Sequence, residues 1–419
     1  VSNPTEYLCG VRQRYPASPI LFDFFINDIF KGVRGVRVPG LTSRIPGLLF
    51  ADDAVLLAES SADLQAALNT ITEWSDTWEM AVNASKCGIM TISGELTTDM
   101  TLQGQKVNST DQYTYLGYIM NSKWDVSGTI KNNKNKVRKA VYAAYSFLRR
   151  SDVLTALKIK FINSVLMPIG CYGGETFGMS EARCKPIYSE IDKSIRMDAK
   201  VGKSVAMKRI RDELGIASVF MRTSTARERA YHKLPTSKTW IADLIKAPMK
   251  ARMATCVTGS ARWIKKFCSQ DSTGQTIITI VDRKRRNNRS VIHRWTVDRK
   301  IGKKGNWVDL QAMYPDLKLG LQEIGKMRMG TFRAAQRLSN MKIADQKIKI
   351  FCPCCNLCVP ETVDYILMSC SRWRNHRSST IGRFISTPIR SEEELFLSNF
   401  NETRLGLVGK LLGKGGRFK

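Results

Sequence analysis

The chain has 419 residues and carries 66 Lys and Arg against 37 Asp and Glu, a formal net charge of +29. That length allows two to four units with substantial cores, and that charge exceeds what solubility needs, so a polyanion, nucleic acid first, is the expected partner. Apolar runs are short and broken by charge, below the roughly 18–20 residues of a membrane span, and no secretory leader opens the chain, so an intracellular protein without a membrane partner is expected.

Taken in order, residues 17–30, ASPILFDFFINDIF, space Ile20, Leu21, Phe24, Phe25 and Ile29 as one apolar helical face. RGVRV at 34–38 reads as a strand. After a Gly/Pro-marked turn, LLF and AVLLA read as two strands of a tight hairpin with Asp52 and Asp53 at its tip. The nearest basic residues to these acids are Arg44 and Lys86. Adjacent carboxylates repel one another and are costly near apolar surface, so they call for a positive partner from elsewhere. From Ser61 to Trp78, Leu64, Leu68, Ile71, Trp74 and Trp78 recur at helical steps, with Ser60 or Ser61 as the cap. CGIMTIS at 87–93 and YTYLGYIM at 113–120 read as further strands, which completes an α+β order.

The spacing predicts a helix over 126–150, with Ile130, Val137, Val141, Tyr145 and Leu148 inward and Lys131, Lys134, Lys136, Arg138, Lys139, Arg149 and Arg150 around the rest. Such a helix packs on one side and holds a phosphate backbone, or simply faces solvent, on the other. Helical patterning continues to about residue 235 and returns at 240–255 and 321–341. Residues 283–304 hold ten Lys/Arg against one acid, Asp298. There His293 and Trp295 are either stacking surfaces for bases or part of a solvated loop. Five of the eleven cysteines fall between Cys352 and Cys370, a clustering that suggests metal before disulfides.

Three stretches in fixed order, GVRQRYPASPILFDFFINDIF at 10–30, FADDAVLLA at 50–58 and VNASKCGIMTIS at 82–93 followed by YTYLGYIM, together resemble the palm of non-LTR (LINE-type) retrotransposon reverse transcriptases. The resemblance implies RNA-directed DNA polymerase chemistry with two Mg (or Mn) ions, acting on an RNA template, a DNA primer or target and deoxynucleoside triphosphates. It implies that Asp52 is the principal metal ligand and Asp53 the second acid, with Phe50 packed beneath them. Gln13 then lies near nucleotide and template, Lys86 assists the pyrophosphate leaving group, and Tyr115, Leu116 and Gly117 grip the primer end.

Two departures stand out. The family's third carboxylate lies on an earlier palm strand, and here Glu6 is the sole acid before Gly10. Arg14 follows Gln13 where the family has glycine. The chain also opens at Val1 rather than at a methionine, so the expectation is part of a longer reading frame, a truncated copy inactive alone. The alternative is a noncatalytic nucleic-acid-binding remnant of such an enzyme. Nuclear access follows from the family, and oligomeric state stays unassigned.

FCPCCNLCVPETVDYILMSCSRW resembles the zinc-binding element near the C-terminus of these enzymes, with Cys352, Cys355 and Cys370 at ligand positions and Tyr365 where a histidine is usual. Zinc therefore needs a fourth ligand, with Cys354, Cys358 and His376 as candidates. The expected fold is α+β: an incomplete right-hand polymerase palm at 1–122, a mainly helical thumb at 123–235, a basic helical connector at 236–345, a zinc knuckle-like element at 346–380, and a tail at 381–419.

Overall fold

The computed structural model describes residues 10–94, 99–202, 205–246, 256–267 and 305–379. The basic run 283–304, with His293 and Trp295, and the tail 381–419 lie outside the described residues. The chain divides into two units, one of residues 1–129 with 229–261, the other of 130–228 with 262–419.

The first unit mixes helices with three two-stranded antiparallel sheets. Helix α1 (Ser18–Ile26) begins with Pro19 in its first turn, where a missing amide costs nothing. Strands β1 (Gly47–Phe50) and β2 (Asp53–Leu56) pair Phe50 with Asp53, which leaves Ala51 and Asp52 as a two-residue loop. Helix α2 (Ser61–Thr77) is capped by Ser60, whose side chain accepts from the Asp63 amide. Ile26, Ile29, Leu68, Ile71, Met100, Leu102 and Val107 are buried together, with Leu49 and Leu56 of the Asp hairpin packed against them.

Met100, Leu102 and Val107 belong to a hairpin that the sequence reading lacked, β3 (Met100–Leu102) and β4 (Gln105–Val107). Strands β5 (Gln112–Tyr115) and β6 (Tyr118–Asn121) split the predicted strand 113–120 into a hairpin around Leu116 and Gly117. Both loop residues have positive φ, 48° and 74°, the signature of a type I′ turn whose twist matches the strands it joins.

Three expectations need correction. Residues 34–38 and 87–93 contribute only isolated bridges, Val36 to Ile45 and Ile89 to Ser109. Gly35 turns left-handed at φ 68° and its carbonyl is taken by the Arg44 side chain at 2.9 Å, while the Cys87 amide closes the turn at Ala84, so neither run can extend a ladder. The predicted apolar face of α1 is largely open: Ile20, Leu21 and Phe24 are exposed, and the helix instead buries Ile26 and, just beyond its end, Ile29. The basic helix over 126–150 is two helices, α3 (Ser127–Ala143) and α4 (Tyr145–Arg149), broken at Ala144 (φ −93°, ψ 11°). Ile130, Val137, Val141 and Leu148 are buried as predicted, but Tyr145 is exposed, because the break rotates it out and Arg149 lies over its ring.

The described residues of the second unit are mainly helical. Ile162, Leu166, Phe177, Ile187, Ile191, Ile195 and Ile210 are fully shielded from solvent. Trp307 is also buried, its indole N–H reaching Glu213 at 3.2 Å while Arg328 pairs with the same carboxylate. Gly325 permits this packing: a Cβ there would stand 2.5 Å from the Trp307 ring. Among the described residues no helix is long and apolar enough to cross a membrane.

Candidate functional site

The β1–β2 hairpin presents Asp52 in its loop and Asp53 at the first position of β2, both exposed. Ala51 supplies the positive φ, 50°, that a two-residue loop requires at its first position. Facing residues of an antiparallel pair point the same way, so Phe50 shares a face with Asp53, and Leu48 with Val55. That face is open. Phe50 is 61% exposed rather than packed beneath the aspartates.

Two other motifs meet this hairpin. The Tyr115 hydroxyl donates to the Asp53 carbonyl at 3.4 Å, a contact spanning 62 positions of sequence. Tyr113 on the same strand donates to the Lys86 carbonyl at 2.8 Å. Lys86 closes a short 3-10 turn, Ala84–Lys86, and is exposed. Burial pushes both tyrosine hydroxyls above their ordinary pKa, and the Asp53 charge adds to the effect. Strand β5 thus touches the Asp53 backbone through Tyr115 and the Lys86 backbone through Tyr113, a linking residue that motif reading missed.

Gln13 is exposed on the turn before α1, and among the described residues it makes no hydrogen bond to the aspartates. The Ser18 hydroxyl braces that turn by donating to the Arg12 carbonyl at 2.6 Å. Arg14, where the family has glycine, sits at φ 64°, in the left-handed region. Among the described residues no Lys or Arg pairs with Asp52 or Asp53, and no third acid joins them in a metal-holding group. Two exposed adjacent carboxylates suit a hard divalent cation but supply only part of a two-ion ligand set.

A second cluster lies in the other unit. The sulfurs of Cys352, Cys355 and Cys370 lie within 4.8 Å of one another and can hold a metal ion. Neighbouring backbone amides of Cys354, Cys355, Leu357 and Arg372 oppose the rise that burial imposes on these thiols. Asn356, at φ 60°, makes the turn between Cys352 and Leu357, its amide donating to the Cys352 carbonyl at 2.9 Å. The Tyr365 hydroxyl lies 3.1 Å from the Cys355 sulfur and, by hydrogen bonding, lowers that thiol's pKa to about 7, while burial pushes Cys352 up to about 12.

Cys352, Cys354 and Glu361 form an overlapping group. Glu361 is buried and accepts from the Ala335 amide at 3.0 Å and the Cys354 thiol at 3.2 Å, a role the sequence reading did not assign. Cys358 and His376 join neither group.

Residues 3–120 match the family model described as reverse transcriptase (RNA-dependent DNA polymerase). The chain is similar to the RNA-directed DNA polymerase from mobile element jockey of Drosophila melanogaster, 24% identical over 180 residues, 41% of this chain and 19% of that protein. It is also similar to the Pol polyproteins of type-1 retrotransposable element R2. In Nasonia vitripennis the identity is 32% over 131 residues, 27% of this chain and 12% of that protein. In Popillia japonica it is 25% over 231 residues, 51% and 36%. The chain therefore spans between 12% and 36% of the length of these relatives. Motif order, matched domain and relatives agree: residues 3–120 match the reverse transcriptase domain, and the chain is similar to polymerases of retrotransposable elements.

Proposed function

We propose that the chain contains palm and following segments of an RNA-directed DNA polymerase, acting on an RNA template, a DNA primer or target and deoxynucleoside triphosphates. The observation that carries this reading is the meeting of the Asp53 hairpin with Tyr115, beside the Lys86 turn. When bound, two Mg (or Mn) ions would neutralise the attacking and leaving oxygens. Asp52 is the principal ligand and Asp53 the second. Lys86 offsets charge, or delivers a proton, at the departing pyrophosphate. The Tyr115–Gly117 turn positions the primer end, and Gln13 and Phe50 border the nucleotide. Downstream, 123–235 acts as thumb, 236–345 as connector and 346–380 as a zinc-holding element through Cys352, Cys355 and Cys370.

This chain alone is proposed to bind nucleic acid and to extend primers poorly, because two carboxylates cannot position both ions. Primer extension on an RNA template with Mg²⁺ or Mn²⁺ tests that; robust extension abolished by Asp52→Ala refutes the inactivity. The second reading, a noncatalytic nucleic-acid-binding remnant of such an enzyme, draws support from Arg14 in the left-handed region beside Gln13. It predicts tight, salt-dependent filter binding unchanged by Asp52→Ala with Asp53→Ala.

A further inference from the structure

The family's zinc element uses a histidine where this chain has Tyr365, and the sequence leaves Cys354, Cys358 and His376 as substitutes. We propose that none of these substitutes serves, and that the Tyr365 oxygen is itself the fourth ligand, giving a three-thiolate, one-phenolate site for a borderline divalent cation of the zinc class. This rests on the reading that Cys352, Cys355 and Cys370 hold zinc.

The geometry is specific. Around tetrahedral zinc, with bonds near 2.3 Å to sulfur and near 2.0 Å to oxygen, neighbouring sulfur and oxygen ligands stand roughly 3.5 Å apart. Tyr365 oxygen and Cys355 sulfur are 3.1 Å apart, with the sulfurs of Cys352 and Cys370 within 4.8 Å of that of Cys355. The tyrosine is held there from both sides of its backbone. Its amide donates to the Thr362 hydroxyl at 3.1 Å, and its carbonyl accepts from the Cys370 amide at 2.8 Å, which ties it to one of the ligand cysteines.

Among the described residues Cys358 and His376 join no metal-holding group, and Cys354 groups with Cys352 and Glu361 rather than with Cys355 and Cys370. The Cys354 thiol donates to Glu361, whose other oxygen is held by the Ala335 amide. Cys358 is exposed, and His376 lies against the Trp373 ring at 5.7 Å. Arg377 lies beside Cys370 and Tyr365. On binding, three thiol protons and the phenol proton leave to solvent as four metal–ligand bonds form, and no oxidant or reductant takes part.

The test is a Zn²⁺ titration of the full reduced chain, following bound metal and the near-ultraviolet difference absorption of tyrosinate. Wild type should bind zinc with a tyrosinate signal. Tyr365→Phe should lose that signal and weaken binding by about 10–100-fold, at least the effect of losing an outer-shell partner. Tyr365→His should restore affinity without the signal. Unchanged binding and signal in Tyr365→Phe overturns the assignment. Weakened binding with no tyrosinate signal in wild type also overturns it, since the hydroxyl then only donates a hydrogen bond. No zinc bound by reduced wild type overturns the underlying metal reading instead.

Discussion

The hydroxyl of Tyr115 reaches the carbonyl of Asp53 at 3.4 Å, joining the tips of two hairpins that lie 62 positions apart. The contact is long, so its worth lies near the lower end of the usual range. Tyr115→Phe is expected to cost about 0.5 kcal/mol in urea unfolding, and Tyr115→Ala clearly more, because the ring packing goes as well.

Strain at two turns gives a prediction of opposite sign. Leu116 and Arg14 both occupy the left-handed region, at φ 48° and 64°, which costs a non-glycine residue roughly 1–2 kcal/mol. Leu116→Gly and Arg14→Gly should each recover part of this, about 0.5–1 kcal/mol after the added freedom of the unfolded chain. Gly117→Val should destabilise by about 1–2 kcal/mol, as the type I′ turn needs positive φ there too. Thermal unfolding of the three variants measures all of these.

Lys158 and Asp198 are buried with their charged ends 3.9 Å apart. Burial raises the Asp198 pKa from 3.8 to about 7, against the opposing pull of Lys158. The folded chain then retains a proton that the unfolded chain releases, so stability falls as pH rises from about 4 to about 7. Asp198→Asn should remove that slope, which urea midpoints measured across the window would show.

Gly325 lies against Trp307, and a Cβ would come within 2.5 Å of the ring. Gly325→Ala should therefore destabilise the second unit by about 1–3 kcal/mol by overpacking. A loss of near-ultraviolet circular dichroism before any loss of helix would locate the damage at the indole.

Lys131, Lys136 and Lys139 are exposed on α3. If they hold phosphates, replacing each by Gln should lower the salt slope of nucleic-acid binding by about one, with little change in sequence preference. A triple variant with an unchanged slope would leave α3 a solvated face.

The Asp hairpin was legible because two apolar runs bracket a short polar tip, whereas the Leu116–Gly117 turn lay hidden inside a run that reads as one strand and was marked only by the family motif. Hairpin β3–β4 escaped because Gln103 and Gly104 interrupt runs too short to show alternation. Periodicity found the apolar side chains of α1 but not what covers them. Ile20, Leu21 and Phe24 share a helical pattern with Ile29, yet only Ile29 meets the cluster around Leu68. Phe50 differs from its expectation for another reason, since its packing beneath the aspartates was implied by the family resemblance and not by any neighbour in this sequence. Tyr365 was legible as a departure from a motif, and only the fold brings its hydroxyl to Cys355.

The most direct test of the Asp52–Asp53 site is a Mn²⁺ titration followed by electron paramagnetic resonance, with primer–template and a deoxynucleoside triphosphate present, comparing wild type with Asp52→Asn/Asp53→Asn. The account predicts a Mn²⁺ signal in wild type, dependent on the nucleotide, that the double variant loses while it still binds nucleic acid. Mn²⁺ binding that is the same in both proteins would contradict it.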